Sequence, residues 1–134
     1  STLYLAARYS RAPELCLYAC ELRALGYTIT SRWIRGDHDI RSHGQSEAPH
    51  FLPLWAQEDR EDLLAADTII SFTEAPVDVP GRARGGRHVE LGMALALGKR
   101  CITVGFRENV FHYLPEVEFY ATWSEARAAL LGDH

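Results

Sequence analysis

From Gly85 to Lys99 the chain reads GGRHVELGMALALGK, where a single carboxylate, Glu90, interrupts a helical run that is otherwise apolar from Val89 to Gly98. Two glycines precede it, and Arg82, Arg84, Arg87 and His88 surround it in sequence. The first turn of a helix offers free backbone N–H groups and the positive end of the peptide dipoles, so an acid there is held ionised. In its plainest reading Glu90 is a helix-start acid worth about a few tenths of a kcal/mol. Its neighbours argue for more. Gly85 and Gly86 let the backbone approach a ligand closely. A helix apolar all round belongs inside the protein, so its N-terminal acid faces a rim. The cations suit an anion such as phosphate beside the carboxylate. An ionised, partly desolvated carboxylate next to a bound sugar is the nucleophile that breaks glycosidic bonds with retention.

Alternating strands and helices must position such an acid. TLYLAA (2–7) reads as a buried strand, followed by a helix that Pro13 starts and Gly26 stops, with Leu15, Tyr18, Ala19, Leu22 and Leu25 at helical spacing. YTITSRW (27–33) is a second strand, and 34–50 a long polar loop. Pro53 opens a helix that leads into the strand DTIISF (67–72), and RCITVG (100–105) and VEFYA (117–121) are further strands. TWSEARAALL closes the chain as a helix with Thr122 and Glu125 spaced as a capping box. This order predicts an α/β fold, a compact Rossmann- or flavodoxin-like three-layer sandwich with a mostly parallel sheet of about five strands. Ligands in such sheets bind beyond the carboxyl ends of the strands, where the strand order reverses. The loops 8–12, 33–50, 73–88 and 106–112 should therefore share one rim.

Composition narrows the class. The 134 residues make one domain, 1–134, with 47% hydrophobic and 24% charged residues, as in ordinary globular proteins. No apolar run reaches the ~18–20 residues of a membrane span, and no signal-type segment opens the chain. Three cysteines without metal-type spacing point to a reducing, cytoplasmic setting. A net charge of −4 disfavours duplex nucleic acid as partner but leaves room for a small anion in a locally basic pocket. His38, His43 and His50 share one loop, but their spacing matches no zinc template. Trp33 either stacks on a base or is a core tryptophan.

The stretch GGRHVELGMALALGKRCITVG resembles the nucleophile segment of the nucleoside 2-deoxyribosyltransferase-like family, which includes N-glycosidases acting on nucleoside 5′-monophosphates. EDREDLLAADTIISF and LYLAARYSRAPEL match two further pieces in the right order. The resemblance implies that Glu90 attacks C1′ of the sugar. It places Asp59 where the family has an acid near sugar and base, able to hold a sugar hydroxyl or protonate the leaving base. Against that, Asp59 reads as part of a solvated helix face, with Glu58 and Asp62 as rival acids. Arg8, Tyr9 and Ser10 fall in the loop that binds sugar or phosphate, although Ser10 also suits a helix cap. Asn109, the best polar candidate of 106–115, matches an Asn that reaches a neighbouring subunit's sugar in the transferases. Six residues before Glu90 the transferases have Asp, whereas this chain has Arg84, which cannot act as acid or base but binds phosphate well.

The expectation is therefore a hydrolase that releases the base of a (deoxy)nucleoside 5′-monophosphate through Glu90. Arg84, Gly85, Gly86 and Arg87 would hold the substrate, and no metal or redox cofactor is needed. Base exchange by a deoxyribosyltransferase, a silent nucleotide sensor and an NAD-cleaving enzyme are the alternatives. Phe111, Tyr113 and Leu114 form an apolar loop that the sheet cannot cover, which predicts a homodimer or higher homo-oligomer.

Overall fold

The computed structural model describes residues 1–36, 48–76 and 85–132. Five strands, β1 (Thr2–Ala6), β2 (Thr28–Ile29), β3 (Thr68–Phe72), β4 (Arg100–Val104) and β5 (Val117–Tyr120), form one sheet in the order β2-β1-β3-β4-β5. Every described pairing is parallel. Among the described residues four helices accompany the strands: α1 (Ala12–Ala24), α2 (Ala48–Ala65), α3 (Gly86–Ala96) and α4 (Trp123–Gly132). This is the expected α/β architecture. The strand order reverses between β1 and β3, so a crevice there is the natural ligand position.

Side-chain alternation divides the sheet into two faces. Phe72 stacks on Tyr18 of α1, at 5.4 Å between ring centroids, and Tyr18 stacks on Trp123 of α4 at 4.5 Å. Tyr27 donates from its hydroxyl to the Leu130 carbonyl at 2.8 Å, fastening the same side. The opposite face carries Tyr4, Ile69 and Cys101, which are register partners, and it packs against α2 and α3. Further along that face, Ser71 and Thr103 are also paired in register, with both side chains fully buried.

Three expectations need correction. The second strand, expected over 27–33, is only Thr28–Ile29. Beyond Ile29 side chains take over the edge of β1: Leu5 N–H donates to Ser31 Oγ at 3.1 Å, and Trp33 Nε1 donates to the Leu5 carbonyl at 2.7 Å. With those groups satisfied, Arg32–Arg35 turns into a 3-10 helix. α2 starts at Ala48 rather than Pro53 and carries Pro53 inside it, giving up one main-chain bond. α3 is not apolar on a buried surface all round. Arg87, Leu91 and Ala94 face inward, while Val89, Met93 and Leu97 line an outer stripe, exposed by 59%, 36% and 56%.

Two pieces of the resembling motifs serve the fold. Asp67, at the amino end of the sheet, accepts from Ser1 Oγ and Thr2 N–H. Lys99 Nζ donates to the carbonyls of Ala66 and Leu64, completing the C-terminal end of α2. Thr73 Oγ1 staples the exits of β3 and β4 by donating to the Phe106 carbonyl and accepting from Phe106 N–H, both at 2.6 Å. Gly105 fits that staple at φ +119°, where a Cβ would sit 3.0 Å from Thr73 Oγ1. Thr122 caps α4 as expected, accepting from Glu125 N–H at 3.2 Å.

Candidate active site

Gly85 adopts φ +78° as N-cap of α3, so the helix begins at Gly86 and Glu90 falls in its second turn. That corrects the reading of Glu90 as a first-turn acid held by the helix end. Its side chain instead reaches inward to β1 and accepts a hydrogen bond from the Tyr4 hydroxyl. Tyr4 is fully buried in the centre of β1. Burial pushes the Glu90 carboxyl up to about 8; the Tyr4 hydrogen bond pulls against this, and the nearby negative charge of Asp59 adds to it. The same burial, with Glu90 and Asp59 close by, holds the Tyr4 phenol well above its ordinary range. Tyr4, Glu90 and Asp59 are thus one electrostatic cluster.

The rival acids on α2 are occupied by Arg32. Asp62 is buried and accepts from Arg32 N–H at 3.0 Å and from its guanidinium at 2.9 Å, and Glu58 lies 3.8 Å from the same group. Of the three, Asp59 is the one whose charge bears on Glu90.

Of the expected ring of cations, Arg87 and His88 are described. Arg82 and Arg84 lie outside the described residues. Arg87 is 4% exposed and bound by both oxygens of Glu108, at 2.8 and 3.0 Å from Nη2, so it is a buried tie and not an open phosphate ligand. Burial raises the Glu108 carboxyl, but the Arg87 bonds and Glu74 N–H outweigh it and hold Glu108 below the ordinary range. His88 sits 3.6 Å from Glu108 and edge-on to His112, and burial with the Arg87 charge lowers its pKa, which keeps it neutral near pH 7.

On the β1 exit, Arg8 lies half-buried, 3.6 Å from Glu74, and Ser10 is exposed in the 3-10 turn Tyr9–Arg11. Ser10 does not cap α1, whose N-cap is Arg11. Tyr9 and Ser10 line a cleft of about 320 Å³ together with Pro13, Cys16, Ile34 and Arg35, and Glu90 does not line it. Trp33 is 5% exposed, with its Nε1 committed to Leu5, so it is a core tryptophan and not a stacking platform; its ring meets Tyr9 at 6.2 Å. Asn109 is the N-cap of the 3-10 turn Val110–Tyr113, accepting from Phe111 N–H at 2.9 Å. A Cβ at Gly85 or Gly86 would meet nothing within 4 Å among the described residues.

Tyr4, Glu74, Glu108 and His112 were missed from sequence. Only Tyr4 carried a signal, since a tyrosine inside a buried strand needs a partner for its hydroxyl. Among the described residues no three His, Cys, Asp or Glu side chains converge as a metal site, and no helix is long and apolar enough to cross a membrane. His38 and His43 fall outside the described residues, and the side chain of His50 is not described. What remains is a carboxyl held between a phenol donor and a second acid, chemically suited to attack an electron-poor carbon or to carry a proton.

No family model and no curated protein matches the chain. Solved structures do share its fold. A 2-deoxyribosyltransferase from Bacillus psychrosaccharolyticus superposes with a TM-score of 0.70 at 18% identity, covering 98% of this chain and 96% of that one. The CMP N-glycosidase BcmB of Clostridium botulinum superposes with a TM-score of 0.51 at 22% identity, covering 97% and 98%.

Proposed function

We propose that this chain is an enzyme of the nucleoside 2-deoxyribosyltransferase-like family that hydrolyses the N-glycosidic bond of a (deoxy)nucleoside 5′-monophosphate, with Glu90 as nucleophile. The observation that carries the reading is the Tyr4–Glu90–Asp59 cluster at the β1–β3 crevice. Likeness of fold to a deoxyribosyltransferase and a CMP N-glycosidase supports it.

In the first step a Glu90 carboxylate oxygen bonds to C1′ while the bond from C1′ to the base breaks. Asp59 accepts a hydrogen bond from a sugar hydroxyl, and the departing nitrogen takes its proton from water. In the second step water adds to C1′, the glycosyl ester to Glu90 breaks, and the proton from that water neutralises the hydroxide left in the first step. Sugar phosphate and free base are the products. Tyr4 donates to the Glu90 oxygens throughout and keeps the side chain in one rotamer. The protein works as a cytoplasmic homo-oligomer in this reading, with Val110, Phe111 and Tyr113 among its exposed apolar residues.

Base exchange is the second reading, favoured by the larger superposition on the deoxyribosyltransferase. The two separate when a panel of nucleosides and nucleotides is incubated with and without a second base, and products are resolved by chromatography. Glu90→Gln should retain the fold and lower base release by at least about a thousandfold. A variant that keeps more than a few per cent of the turnover sinks Glu90 as nucleophile. A protein that binds nucleotide equally with Glu or Gln there, and releases no base, is a sensor.

A further inference from the structure

Arg87 and Glu90 are three residues apart on α3, which places them about 60° apart around the helix and one turn apart along it. Whatever fixes Arg87 therefore fixes the rotation of the helix start and the direction in which Glu90 points. Arg87 is held at three contacts by Glu108, from Nε at 3.3 Å and from Nη2 at 2.8 and 3.0 Å. Glu108 also accepts Glu74 N–H at 3.1 Å, and the Glu74 carboxylate pairs with Arg11 Nη1 at 3.0 Å. Glu108 N–H and Asn109 N–H both donate to Nδ1 of the buried His112, at 2.9 and 3.2 Å, which sets the loop that carries Glu108. The exits of β1, β3 and β4 thus converge on one guanidinium at the start of the Glu90 helix.

A buried arginine bound bidentately is a geometric constraint more than a source of stability, since desolvation consumes much of its Coulombic gain. We propose that the Arg87–Glu108 pair is a positioning device for the reaction, fixing the start of α3 so that Glu90 stays against Tyr4 and out of water. The role in reaction rests on the glycosidase reading; the positioning itself does not.

The test follows the Glu90 carboxyl directly, by ¹³C NMR of carboxyl-labelled protein assigned by difference from Glu90→Gln. It compares wild type, Arg87→Lys, which keeps the charge, and the double variant Arg87→Met/Glu108→Gln, which leaves no buried charge unpaired. With the helix start released, water reaches Glu90 and its titration midpoint falls by at least about one pH unit toward the ordinary carboxylate range. On a turned-over nucleotide kcat falls about tenfold while KM stays within about twofold, as expected when a reacting group is misplaced but binding is not. An unchanged midpoint in the folded variants overturns the proposal. So does an upward one, because that is the mark of a lost positive charge acting directly on Glu90. If the double variant does not fold, the midpoint of Arg87→Lys decides by the same criterion, because it keeps the charge and loses the two-pronged grip. A wild type that releases no base from any substrate defeats the glycosidase reading, while the NMR titration still decides the positioning.

Discussion

Tyr4 of β1 and Glu90 of α3, 86 positions apart in sequence, share a hydrogen bond on β1, one of the two strands between which the strand order of the sheet reverses. Neither partner is ordinary: the phenol is fully buried, and burial raises the carboxyl to about 8. The nucleophilic form of Glu90 is the carboxylate, so base release should rise with pH up to about 8 and then level off.

Tyr4→Phe removes the contact that lowers Glu90, so its midpoint rises further and the ionised fraction at pH 7 shrinks. Base release at pH 7 should fall about tenfold for each unit of that rise and recover as the pH is raised. A pH–rate profile checks it. An unchanged inflection with an unchanged rate would show that the phenol has no hold on the carboxyl.

The raised carboxyl also links stability to pH. Folded Glu90 keeps its proton up to about 8, whereas in the unfolded chain it loses it near its ordinary value of 4.5. Between those values the folded state binds more protons, so stability falls as pH rises through the window and flattens above it. Glu90→Gln cannot titrate and should lose this slope. His88 and His112, both lowered by burial, act in the opposite direction below their ordinary value of 6.5, so the comparison with the Gln variant isolates Glu90. Thermal melts of both proteins from pH 5 to 9 give the answer, and parallel curves would mean that Glu90 is not buried as a neutral acid.

The sequence carried the alternation of strands and helices, and Glu90 as the one acid in a greasy helix, because periodicity and a lone charge are local signals. The short β2 was not legible, because its continuation is replaced by Ser31 and Trp33 side chains bonding to β1, a tertiary substitution that leaves no periodic trace. Arg87 read as a phosphate ligand for the same reason. Its partner Glu108 is 21 residues away on another loop, and an arginine near glycines looks identical whether its partner is a ligand or a carboxylate. The outward stripe Val89–Met93–Leu97 was invisible because apolar residues on both sides of a helix hide which side faces the sheet.

Apolar side chains in the loop after β4 argue for self-association. Phe111 and Tyr113 are exposed by 60% and 68%, next to Val110 at 76%. Clusters of this kind usually mark interfaces. Light scattering at micromolar concentration should give a dimer or larger, and Phe111→Ser/Tyr113→Ser should shift it toward monomer by at least about tenfold in dissociation constant. A wild-type monomer would count against the assembly.

Phosphate recognition is the sharpest test of substrate choice. Arg87 is consumed by Glu108, and Arg8 is a half-buried rim cation beside Glu74, so the burden falls on Arg84, outside the described residues, with Arg8 in support. Among the described residues Gly85 and Gly86 leave open space at the start of α3, where an anion can meet its free N–H groups. A charge-assisted bond to phosphate contributes roughly 1.5–3 kcal/mol, or about 10- to 150-fold in affinity. Wild type should therefore prefer a nucleoside 5′-monophosphate over the nucleoside by at least about tenfold in kcat/KM, the lower end of that range. Arg84→Ala should lose most of the preference, and Arg8→Ala a smaller part, because Glu74 already neutralises Arg8. Equal use of nucleoside and monophosphate by wild type would remove the phosphate from the proposal and put base exchange first. A preference that survives Arg84→Ala but not Arg8→Ala would move the phosphate to the β1 exit, beside Tyr9 and Ser10.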